Sequence, residues 1–312
     1  MPDLIVLTCA SGKQCAHIIP LLYNDPSYSL RLIVNSASSL ERLRKQYPNA
    51  EVIQASLQLP PDCAKILNGV TTIYYVSPTF QPYEVTMGMN VIDAAIFESR
   101  KSGTKFKHFV FSSVLHPRIS KMLNHDRKKQ IEEYLVESRL NWSILQPSHF
   151  TDNAMGQLLG KRHEEKPVYM AAYDPSVKFS FTTLRDYAEA SVKVIKVREG
   201  HFFATYEILS TWPMDYYAYV KEVGGALGKE FEVKQMEYGQ AVEGLCKMMF
   251  KAQSLNEVDI RNREGPERML LYYNTRGLNG NPGVLEWLIG RKGIGPGELA
   301  RLMVEEQAHK SE

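Results

Sequence analysis

The first segment of the chain that could do chemistry is Thr8-Cys9-Ala10-Ser11-Gly12-Lys13-Gln14-Cys15, which follows an apolar run at residues 4–7. A turn that binds the phosphates of a nucleotide needs a tight bend, a close backbone approach and a helix N-terminus with free N–H groups. Glycine meets the first two needs because it lacks Cβ. A G-x-x-G-x-x-G spacing would place glycines at positions 9, 12 and 15, and only position 12 has one.

Two interpretations of this turn stay open: a phosphate-binding turn, or a tight turn without a ligand. Its place after the first predicted strand, where nucleotides bind in doubly wound sheets, favours the first. Ser11, Lys13 and Gln14 add a hydroxyl, a cation and an amide near the expected phosphate oxygens. The side chains of Cys9 and Cys15 make the backbone approach less close, and Cys9 adds a cost if the turn needs a positive φ.

The end of the second apolar run distinguishes NAD from NADP. An NAD-selective site places Asp or Glu there to accept hydrogen bonds from the ribose hydroxyls. Here the segment is Asn35-Ser36-Ala37-Ser38-Ser39, with no carboxylate before Glu41 and with Arg42 and Arg44 beyond it. This neutral, hydroxyl-rich segment beside arginines favours NADP(H). The alternative is a plain polar turn that caps a helix beginning near Ser39.

Strands and helices that alternate through the first 147 residues must position these groups. Apolar, β-branched or aromatic runs predict strands at residues 4–7, 30–34, 52–53, 72–76, 109–111 and 142–145. Segments with helical spacing lie between them, at residues 16–22, 40–46, 85–99 and 128–137. Strands that are apolar on both faces predict a parallel sheet, and their alternation with helices predicts a doubly wound α/β fold of the Rossmann type.

The second half of the chain has a different pattern. Strands are predicted at residues 179–184 and 201–209, and helices at residues 186–197, 216–227 and 284–287, with longer joins rich in Gly and Pro. Strands and helices do not alternate regularly in this half, so it does not predict a second, independent sheet. We therefore expect an NAD(P)-binding domain at residues 1–147 and a smaller C-terminal α/β substrate-binding lobe at residues 148–312, interleaved with the first domain.

Composition excludes several classes of protein. With 312 residues, 44% hydrophobic and 23% charged, the chain is neither disordered nor fibrous. Its 37 basic and 35 acidic residues argue against nucleic acid and anionic membranes as partners. Neither a membrane span nor a signal peptide is expected. Cysteines at positions 9, 15, 63 and 246 suit neither a disulfide framework nor a metal site, so we expect a reducing, cytoplasmic compartment.

Six blocks that follow the glycine turn, in order along nearly the whole chain, resemble the NmrA-like family of atypical short-chain dehydrogenases/reductases. They are GVTTIY at residues 69–74, NVIDAA at 90–95, KHFVFSSV at 107–114, NHDRK at 124–128 leading into IEEYL at 131–135, LQPSHF at 145–150 followed by Asp152-Asn153, and FSF at 179–181 before RDYA at 185–188. The resemblance implies a Rossmann-type domain with a small C-terminal lobe, and NADP(H) bound across the strand ends.

The resemblance also implies a set of cofactor contacts. The dinucleotide loop falls on residues 9–14, and the adenine side falls on Ser56, where the family often has an acidic residue. Lys128 matches the lysine that holds the nicotinamide ribose. The predicted cofactor-binding residues are Thr8, Cys9, Ser11, Gly12, Lys13, Gln14, Asn35, Ser36, Arg42, Ser56, Ser77, Pro78, Ser112, Lys128, Pro147, His149 and Phe150.

The usual proton donor of a short-chain dehydrogenase is missing. Such enzymes use Tyr-x-x-x-Lys, in which one helical turn sets the phenol beside the ammonium and lowers its pKa. Asn124 stands four residues before Lys128. His125 would share a helical face with that lysine, so Lys128 and His125 are the candidate catalytic residues. The other interpretation is a helix cap at Asn124 or Asp126, with the ring of His125 bonded to backbone.

Three functions are compatible with this sequence. The favoured one is NADP(H)-dependent reduction of a small organic molecule, with secondary metabolism as its setting. The second is an NADP(H)-sensing regulatory protein without turnover, which would act on a protein partner. The third is a non-redox acid/base catalyst, such as a cyclase, on the same fold. None of the three calls for a metal.

Overall fold

The computed structural model describes residues 2–250 and 252–311, and its largest element is a seven-stranded sheet. Its strands are β1 (Asp3–Leu7), β2 (Tyr28–Val34), β3 (Glu51–Gln54), β4 (Thr72–Val76), β5 (His108–Ser112), β6 (Trp142–Pro147) and β10 (Ala204–Ile208). The order across the sheet is β10-β6-β5-β4-β1-β2-β3, and β1 to β6 run parallel. This confirms the predicted doubly wound α/β fold.

The strands form where the sequence is continuously apolar, because helices cover both faces of a parallel sheet. All five residues of β5 are buried, and so are the first four of β4. Leu7 pairs with Leu32 in β2 and with Tyr74 in β4, so the carboxyl ends of these three strands lie at one edge.

The helices are longer than the sequence pattern predicts at several ends. They are α1 (Lys13–Tyr23), α2 (Ala37–Gln46), α3 (Pro60–Leu67), α4 (Glu84–Ser99), α5 (Leu123–Glu137), α6 (Asp152–Gly160), α7 (Leu184–Val197), α8 (Tyr216–Leu227), α9 (Tyr238–Phe250), α10 (Ile260–Arg276), α11 (Gly283–Ile289) and α12 (Pro296–Ser311). Short 3-10 helices lie at Arg198–His201 and Leu255–Glu257. Among the described residues, no helix combines the length and the apolar character that a membrane span requires.

Two small parallel sheets complete the strands. One pairs β7 (His149–Phe150) with β9 (Phe181–Thr182), and the other pairs β8 (Val168–Ala171) with β11 (Glu232–Gln235). The strand predicted at residues 179–184 is therefore only two residues long. The strand predicted at residues 201–209 begins at Ala204, because the residues before it form a 3-10 helix.

The chain divides into two compact units. The first comprises Met1–Ser120, Asn124–Gln146 and Tyr187–Tyr206, and the second comprises Lys121–Leu123, Pro147–Asp186 and Glu207–Glu312. The first unit has an aliphatic and aromatic core against β4 and β5. The second has an aromatic core that includes Tyr173, Phe179, Phe181, Tyr216 and Tyr273. The cofactor and substrate domains that the sequence suggests stay a prediction.

Strand order reverses at β1 in the first unit. From β1 the chain passes to β2 and β3 on one side, and it then returns to β4 on the other side. In open α/β sheets, ligands bind in the crevice outside the carboxyl ends of the strands at such a reversal. The residues that follow β1, β2, β3 and β4 are therefore the ones that a site would use.

Candidate functional site

A tight turn connects β1 to α1 at the reversal. Thr8 is buried, and its Oγ1 donates to Val76 O at 2.9 Å and accepts from Val76 N at 2.8 Å, which joins the ends of β1 and β4. Cys9 follows with φ of 49°, in the left-handed region. Gly12 N donates to Cys9 O at 2.9 Å, and a Cβ at Gly12 would lie 3.1 Å from that oxygen. A side chain at position 12 would therefore crowd the Cys9 carbonyl, whereas the positive φ falls on Cys9.

The N-terminus of α1 meets this turn without a side-chain cap. Gly12 is its N-cap residue, and the first turn of the helix has no acidic side chain. Free N–H groups and the positive end of the helix dipole at such a terminus attract anions. Gln14, in that first turn, accepts a hydrogen bond at Oε1 from Ser112 Oγ at 2.8 Å, and Ser112 accepts from the Tyr187 hydroxyl at 2.7 Å. These contacts fix the start of α1 to the end of β5.

A second helix N-terminus, that of α2, follows β2. Its N-cap Ser36 accepts from Ser39 N at 3.3 Å and donates to Ser39 Oγ at 2.9 Å. Arg42, which is exposed, reaches from the next turn of α2 to Ser11 O at 3.5 Å. The first turn of α2 has no carboxylate. The start of α2 thus places the hydroxyls of Ser36 and Ser39 and the guanidinium of Arg42 near the turn that follows β1.

A cleft of about 670 Å³ lies at the carboxyl ends of β1, β2 and β3. It is lined by Cys9, Ser11, Gly12, Ile33, Val34, Asn35, Gln54, Ala55, Ser56, Leu57, Gln58, Asp62, Pro78, Gln81 and Met87. The structure thus brings together six of the predicted cofactor residues, which are Cys9, Ser11, Gly12, Asn35, Ser56 and Pro78. Its walls come from the ends of β2 and β3, from the segments that follow β1, β2, β3 and β4, and from the first turns of α3 and α4.

Asp62 is a wall residue that sequence reasoning missed. It lies in the first turn of α3, and its Oδ2 accepts a hydrogen bond from Ser56 N at 2.8 Å. Position 56 has no carboxylate, but Asp62 of α3 supplies one to the same wall of the cleft. The signal in the sequence is Pro60-Pro61-Asp62, because proline followed by an acid is typical of a helix start.

Lys128 lies at the carboxyl ends of β4 and β5 in a buried ion pair. Its Nζ donates to Ser77 Oγ and, at 2.6 Å, to Glu84 Oε1, while Ser77 Oγ donates to the same carboxylate oxygen at 2.7 Å. The side chain of Lys128 is 6% exposed and that of Glu84 is 0% exposed. The ammonium also lies 5.9 Å from the centroid of the Phe111 ring. Sequence reasoning found Lys128 and Ser77 and missed Glu84, which is the first residue of α4 and has no motif around it.

Cys9 connects this ion pair electrostatically with the cleft. Burial raises the pKa of the Cys9 thiol to about 11, and Lys128 lowers it while Glu84 raises it. The thiol therefore stays protonated near neutral pH. Cys9, which lines the cleft, thus interacts electrostatically with both members of the buried pair, whereas Lys128 and Glu84 are not among the residues that line it.

His125 is fully buried on α5, one turn before Lys128. Its Nδ1 lies 3.0 Å from His116 O. Burial lowers the pKa of His125 to about 4, which keeps the imidazole neutral near pH 7. The catalytic role of His125 stays a prediction.

Three predicted cofactor residues, Pro147, His149 and Phe150, belong to the second unit. Pro147 ends β6, and the other two form β7. The ring of His149 lies among aromatic rings, 4.9 Å from that of Phe179 and 5.0 Å from that of Tyr273, and its Nε2 lies 3.2 Å from the Tyr173 hydroxyl. Their contact with a cofactor stays a prediction, as does the role of Lys13 at the exposed start of α1.

A family model described as the NmrA-like family matches residues 1–280. Comparison with curated protein sequences gives no match.

Several solved structures have a similar fold. The NADPH-dependent quinone oxidoreductase QOR2 of Escherichia coli, complexed with NADPH, is 18% identical with a TM-score of 0.72, covering 96% of this chain and 99% of that one. The triphenylmethane reductase of Citrobacter sp., complexed with NADP(H), is 18% identical with a TM-score of 0.73, covering 95% and 99%. NmrA, a negative transcriptional regulator, in complex with NAD, is 15% identical with a TM-score of 0.72, covering 99% and 98%. At these identities the likeness is one of fold.

Proposed function

This chain belongs to the NmrA-like family, and we propose that it binds NADP(H) and uses it to reduce a small organic molecule in secondary metabolism. The observation that carries the proposal is the cleft at the carboxyl ends of β1, β2 and β3, bounded by the uncapped N-terminus of α1. A dinucleotide binds at this position in doubly wound sheets, with its pyrophosphate at the helix N-terminus.

The residues present fit the cofactor. Gly12 lines the cleft and is the N-cap residue of α1, so a residue without a Cβ stands where the pyrophosphate would meet the helix N-terminus. Asp62 offers a carboxylate oxygen in the cleft wall, where an exocyclic amino group of a base would donate to it. Similar solved structures hold NADPH or NAD, which supports a nicotinamide dinucleotide as the ligand.

The choice of NADP(H) over NAD(H) rests on the start of α2. Ser36 and Ser39 present hydroxyls, and Arg42 lies one turn away with its guanidinium at Ser11 O. A carboxylate that would repel a 2′-phosphate is absent from the first turn of that helix. An arginine near the ribose is the usual means of accommodating the 2′-phosphate.

Lys128 is the group best placed to handle a proton. It lies at the ends of β4 and β5, and it is held by Ser77 and Glu84. When bound, NADPH supplies a hydride to the substrate. The Lys128 ammonium can then donate a hydrogen bond or a proton to the oxygen on which negative charge develops.

The test is NADPH consumption with a panel of quinones, enones and other carbonyl compounds, followed at the absorbance of the reduced nicotinamide. The proposal expects oxidation of NADPH with at least one class, together with loss of the rate in Lys128→Met. Tight NADPH binding with no consumption across the panel would contradict a reductase and favour the regulatory protein. Turnover of a compound without NADPH consumption would favour the acid/base catalyst.

A further inference from the structure

A cavity of about 450 Å³ lies within the second unit and shares no lining residue with the cleft at the ends of β1, β2 and β3. It is lined by Arg162, His163, Ala226, Leu227, Lys229, Arg301, Val304 and Glu305. The turn after α6, the end of α8 and the middle of α12 supply these residues. Two guanidinium groups and an ammonium group face a single carboxylate, so the cavity carries an excess of positive charge.

The end of α8 fixes the position of Lys229. Gly228 ends the helix with φ of 63°, and Lys229 N then donates to Gly224 O at 2.9 Å. The side chain of Lys229 reaches the turn after α6, where its Nζ donates to Glu164 O at 3.2 Å. This contact joins the two segments that form one side of the cavity.

Two arginines come from the other helices. Arg162 Nη1 donates to a carbonyl oxygen in the last turn of α6 at 3.0 Å, which occupies one of the N–H groups of its guanidinium. α12 packs closely on α8, since a Cβ at Gly297 would lie 2.9 Å from Glu222 O. Arg301 and Glu305 are four residues apart on α12 and share one face, which is why both line the cavity.

The cations of this cavity have no carboxylate partners, unlike several other cations of the second unit. Ion pairs in that unit join Arg185 to Glu306, Lys234 to Glu232, Lys247 to Glu243, Arg268 to Glu264 and Arg291 to Asp186. Among the side chains that the structure describes, Arg162, Lys229 and Arg301 form no ion pair. Arg301 remains unpaired although Glu305 lies one turn away on the same face. Donors that converge on a cavity without a carboxylate partner suit an anionic ligand.

The remaining walls indicate what carries the negative charge. Guanidinium and ammonium groups bind phosphate oxygens through charge-assisted hydrogen bonds. Ala226, Leu227 and Val304 add an apolar wall beside them. The volume of about 450 Å³ exceeds what one phosphate group fills, and it falls within the range of about 300–1,000 Å³ for small-molecule sites. An organic molecule that carries a phosphate group matches both parts of the lining.

The outer edge of the cavity argues against a large anionic partner. Glu164 and Glu165 directly follow the lining residue His163, Glu230 directly follows Lys229, and all three glutamates are exposed. A membrane of anionic lipids or a nucleic acid would have to approach these carboxylates, which repel it. A small soluble ligand enters between them.

We propose that this cavity is a binding site for a small organic phosphate. The phosphate oxygens accept hydrogen bonds from Arg162, Lys229 and Arg301, and the organic part packs on Leu227 and Val304. This inference is independent of the proposed function, because every residue that it uses belongs to the second unit.

The experiment follows the ring signals of His163 by NMR in protein with isotope-labelled histidine, with phenyl phosphate as the probe. Loss of a signal in His163→Gln assigns it, and this signal reports on the cavity even if phenyl phosphate also binds elsewhere. At constant pH we expect a saturable shift with phenyl phosphate, a weaker response to inorganic phosphate, and none to potassium chloride at equal ionic strength. An unchanged His163 signal, or an equal shift with potassium chloride, would overturn the inference. Binding to phosphatidylglycerol vesicles without a response to phenyl phosphate would overturn it too.

Variants of the wall test the contacts. Arg301 is exposed and has no hydrogen bond from its side chain among the described residues, so Arg301→Ala should unfold at the temperature of the wild-type protein. We expect Arg301→Ala to weaken phenyl phosphate binding by about tenfold, the size of a charge-assisted hydrogen bond. Glu305→Gln should strengthen binding, because it removes the one negative charge of the wall.

Arg268→Ala is the matched control, since Arg268 is an exposed arginine on a helix of the same unit and lies outside the cavity lining. It should leave the affinity for phenyl phosphate unchanged. Equal weakening by Arg268→Ala and Arg301→Ala would mean that the probe responds to overall charge, and the site would be ruled out. An unchanged affinity in Arg301→Ala would also overturn the inference.

Discussion

Cys9 occupies the left-handed region that glycine adopts without strain. A non-glycine residue with φ of 49° costs about 1–2 kcal/mol relative to its ordinary conformations. Cys15, the other cysteine at an expected glycine position, is buried in the first turn of α1, and its Sγ donates to Thr8 O at 3.5 Å. Position 9 therefore favours glycine because of its backbone conformation, whereas position 15 favours a side chain that fills buried space.

Replacement of each cysteine by glycine should move stability in opposite directions. Cys9→Gly relieves the strained φ and should raise the free energy of unfolding by up to about 1 kcal/mol, after allowance for the greater freedom of glycine in the unfolded chain. Cys15→Gly removes a buried side chain from a helix and should lower it by about 1–3 kcal/mol. Urea denaturation of the two variants measures both changes. A loss of stability in Cys9→Gly would show that the thiol contributes more than its backbone strain costs.

Arg42 should determine the preference between the two dinucleotides. Arg42→Ala removes the cation beside the turn after β1 and should weaken NADPH binding by about tenfold, with little change for NADH, because only NADPH carries the 2′-phosphate. Arg44→Ala is the matched control, since Arg44 lies on the same helix and donates to Val52 O at 3.4 Å. Isothermal titration of each variant with both ligands checks this. Equal weakening of NADPH and NADH in Arg42→Ala would assign the arginine to the pyrophosphate instead.

The sequence predicts the residues that carry a motif and misses those that act through tertiary contact. Lys128 was predicted from its place in a recognisable block, and it lies at the strand ends as expected. Glu84 has no motif around it, and Asp62 has only the helix-start signal of the two prolines before it, which does not show that its carboxylate accepts from Ser56 N. The pairing of Glu84 with Lys128 spans 44 residues of chain and depends on the packing of α4 against α5, which a residue pattern does not specify.

At the scale of elements, the contact between α4 and α5 holds the ion pair together. Gly88 of α4 lies against Ile131 of α5, and a Cβ at position 88 would lie 2.7 Å from Cγ1 of that isoleucine. Glu84 lies one turn before Gly88, and Lys128 lies one turn before Ile131. The close approach of these helices therefore sets the distance between the carboxylate and the ammonium.

Gly88→Ala should separate the two helices. Overpacking against Ile131 should lower the free energy of unfolding by about 1–3 kcal/mol, which outweighs the higher helix propensity of alanine. Gly156→Ala in α6 is the control, because a Cβ there meets nothing within 4 Å, and it should be neutral or stabilising. Chemical denaturation of both variants gives the comparison. A neutral Gly88→Ala would mean that α4 and α5 adjust without strain.

Elements of the first half were predictable, and several of the second half were not. Continuous apolar runs such as β4 and β5 are a strong signal because a parallel sheet buries both faces. α10 contains Pro266 in its interior, a residue that normally ends a helix, and the pattern around it predicts an irregular join. α9 buries only Ala241, Val242 and Cys246 among its residues, so its apolar stripe is short.

At the scale of the whole molecule, buried histidines make stability depend on pH: burial lowers the pKa of His108, His125 and His201, and most strongly that of the first two. Burial lowers the pKa of His108 to about 3 and that of His125 to about 4, against an ordinary value of 6.5. Unfolding therefore takes up protons between those values. The stabilisation is fully present above about pH 6.5 and is lost as the pH falls toward the folded pKa values.

The free energy of unfolding should fall by about 2 kcal/mol for each of His108 and His125 between pH 7.5 and pH 5. His108→Gln removes one titrating group and should make the pH dependence shallower by about the 2 kcal/mol that this residue contributes. His163→Gln, at an exposed histidine of the second unit, should leave the dependence unchanged. Urea denaturation at several pH values measures the slopes. A flat profile between pH 7.5 and 5 would contradict neutral buried imidazoles.

The fold as a whole does not separate the candidate functions. Structures of a quinone oxidoreductase, a triphenylmethane reductase and a transcriptional regulator all superpose on this chain with TM-scores of 0.72–0.73. The distinction must come from the residues at the strand ends, where the turn at Cys9, the helix start at Ser36 and the Lys128–Glu84 pair differ from a standard dehydrogenase site.

Equilibrium titration of the wild-type protein with NADPH and with NADH tests the central claim most directly. A dinucleotide site in the cleft with Arg42 beside it predicts saturable binding of one NADPH per chain, tighter than that of NADH by about tenfold or more. Absence of saturable binding for both ligands would contradict the assignment of the cleft to a nicotinamide dinucleotide. Tighter binding of NADH would contradict the preference for NADP(H).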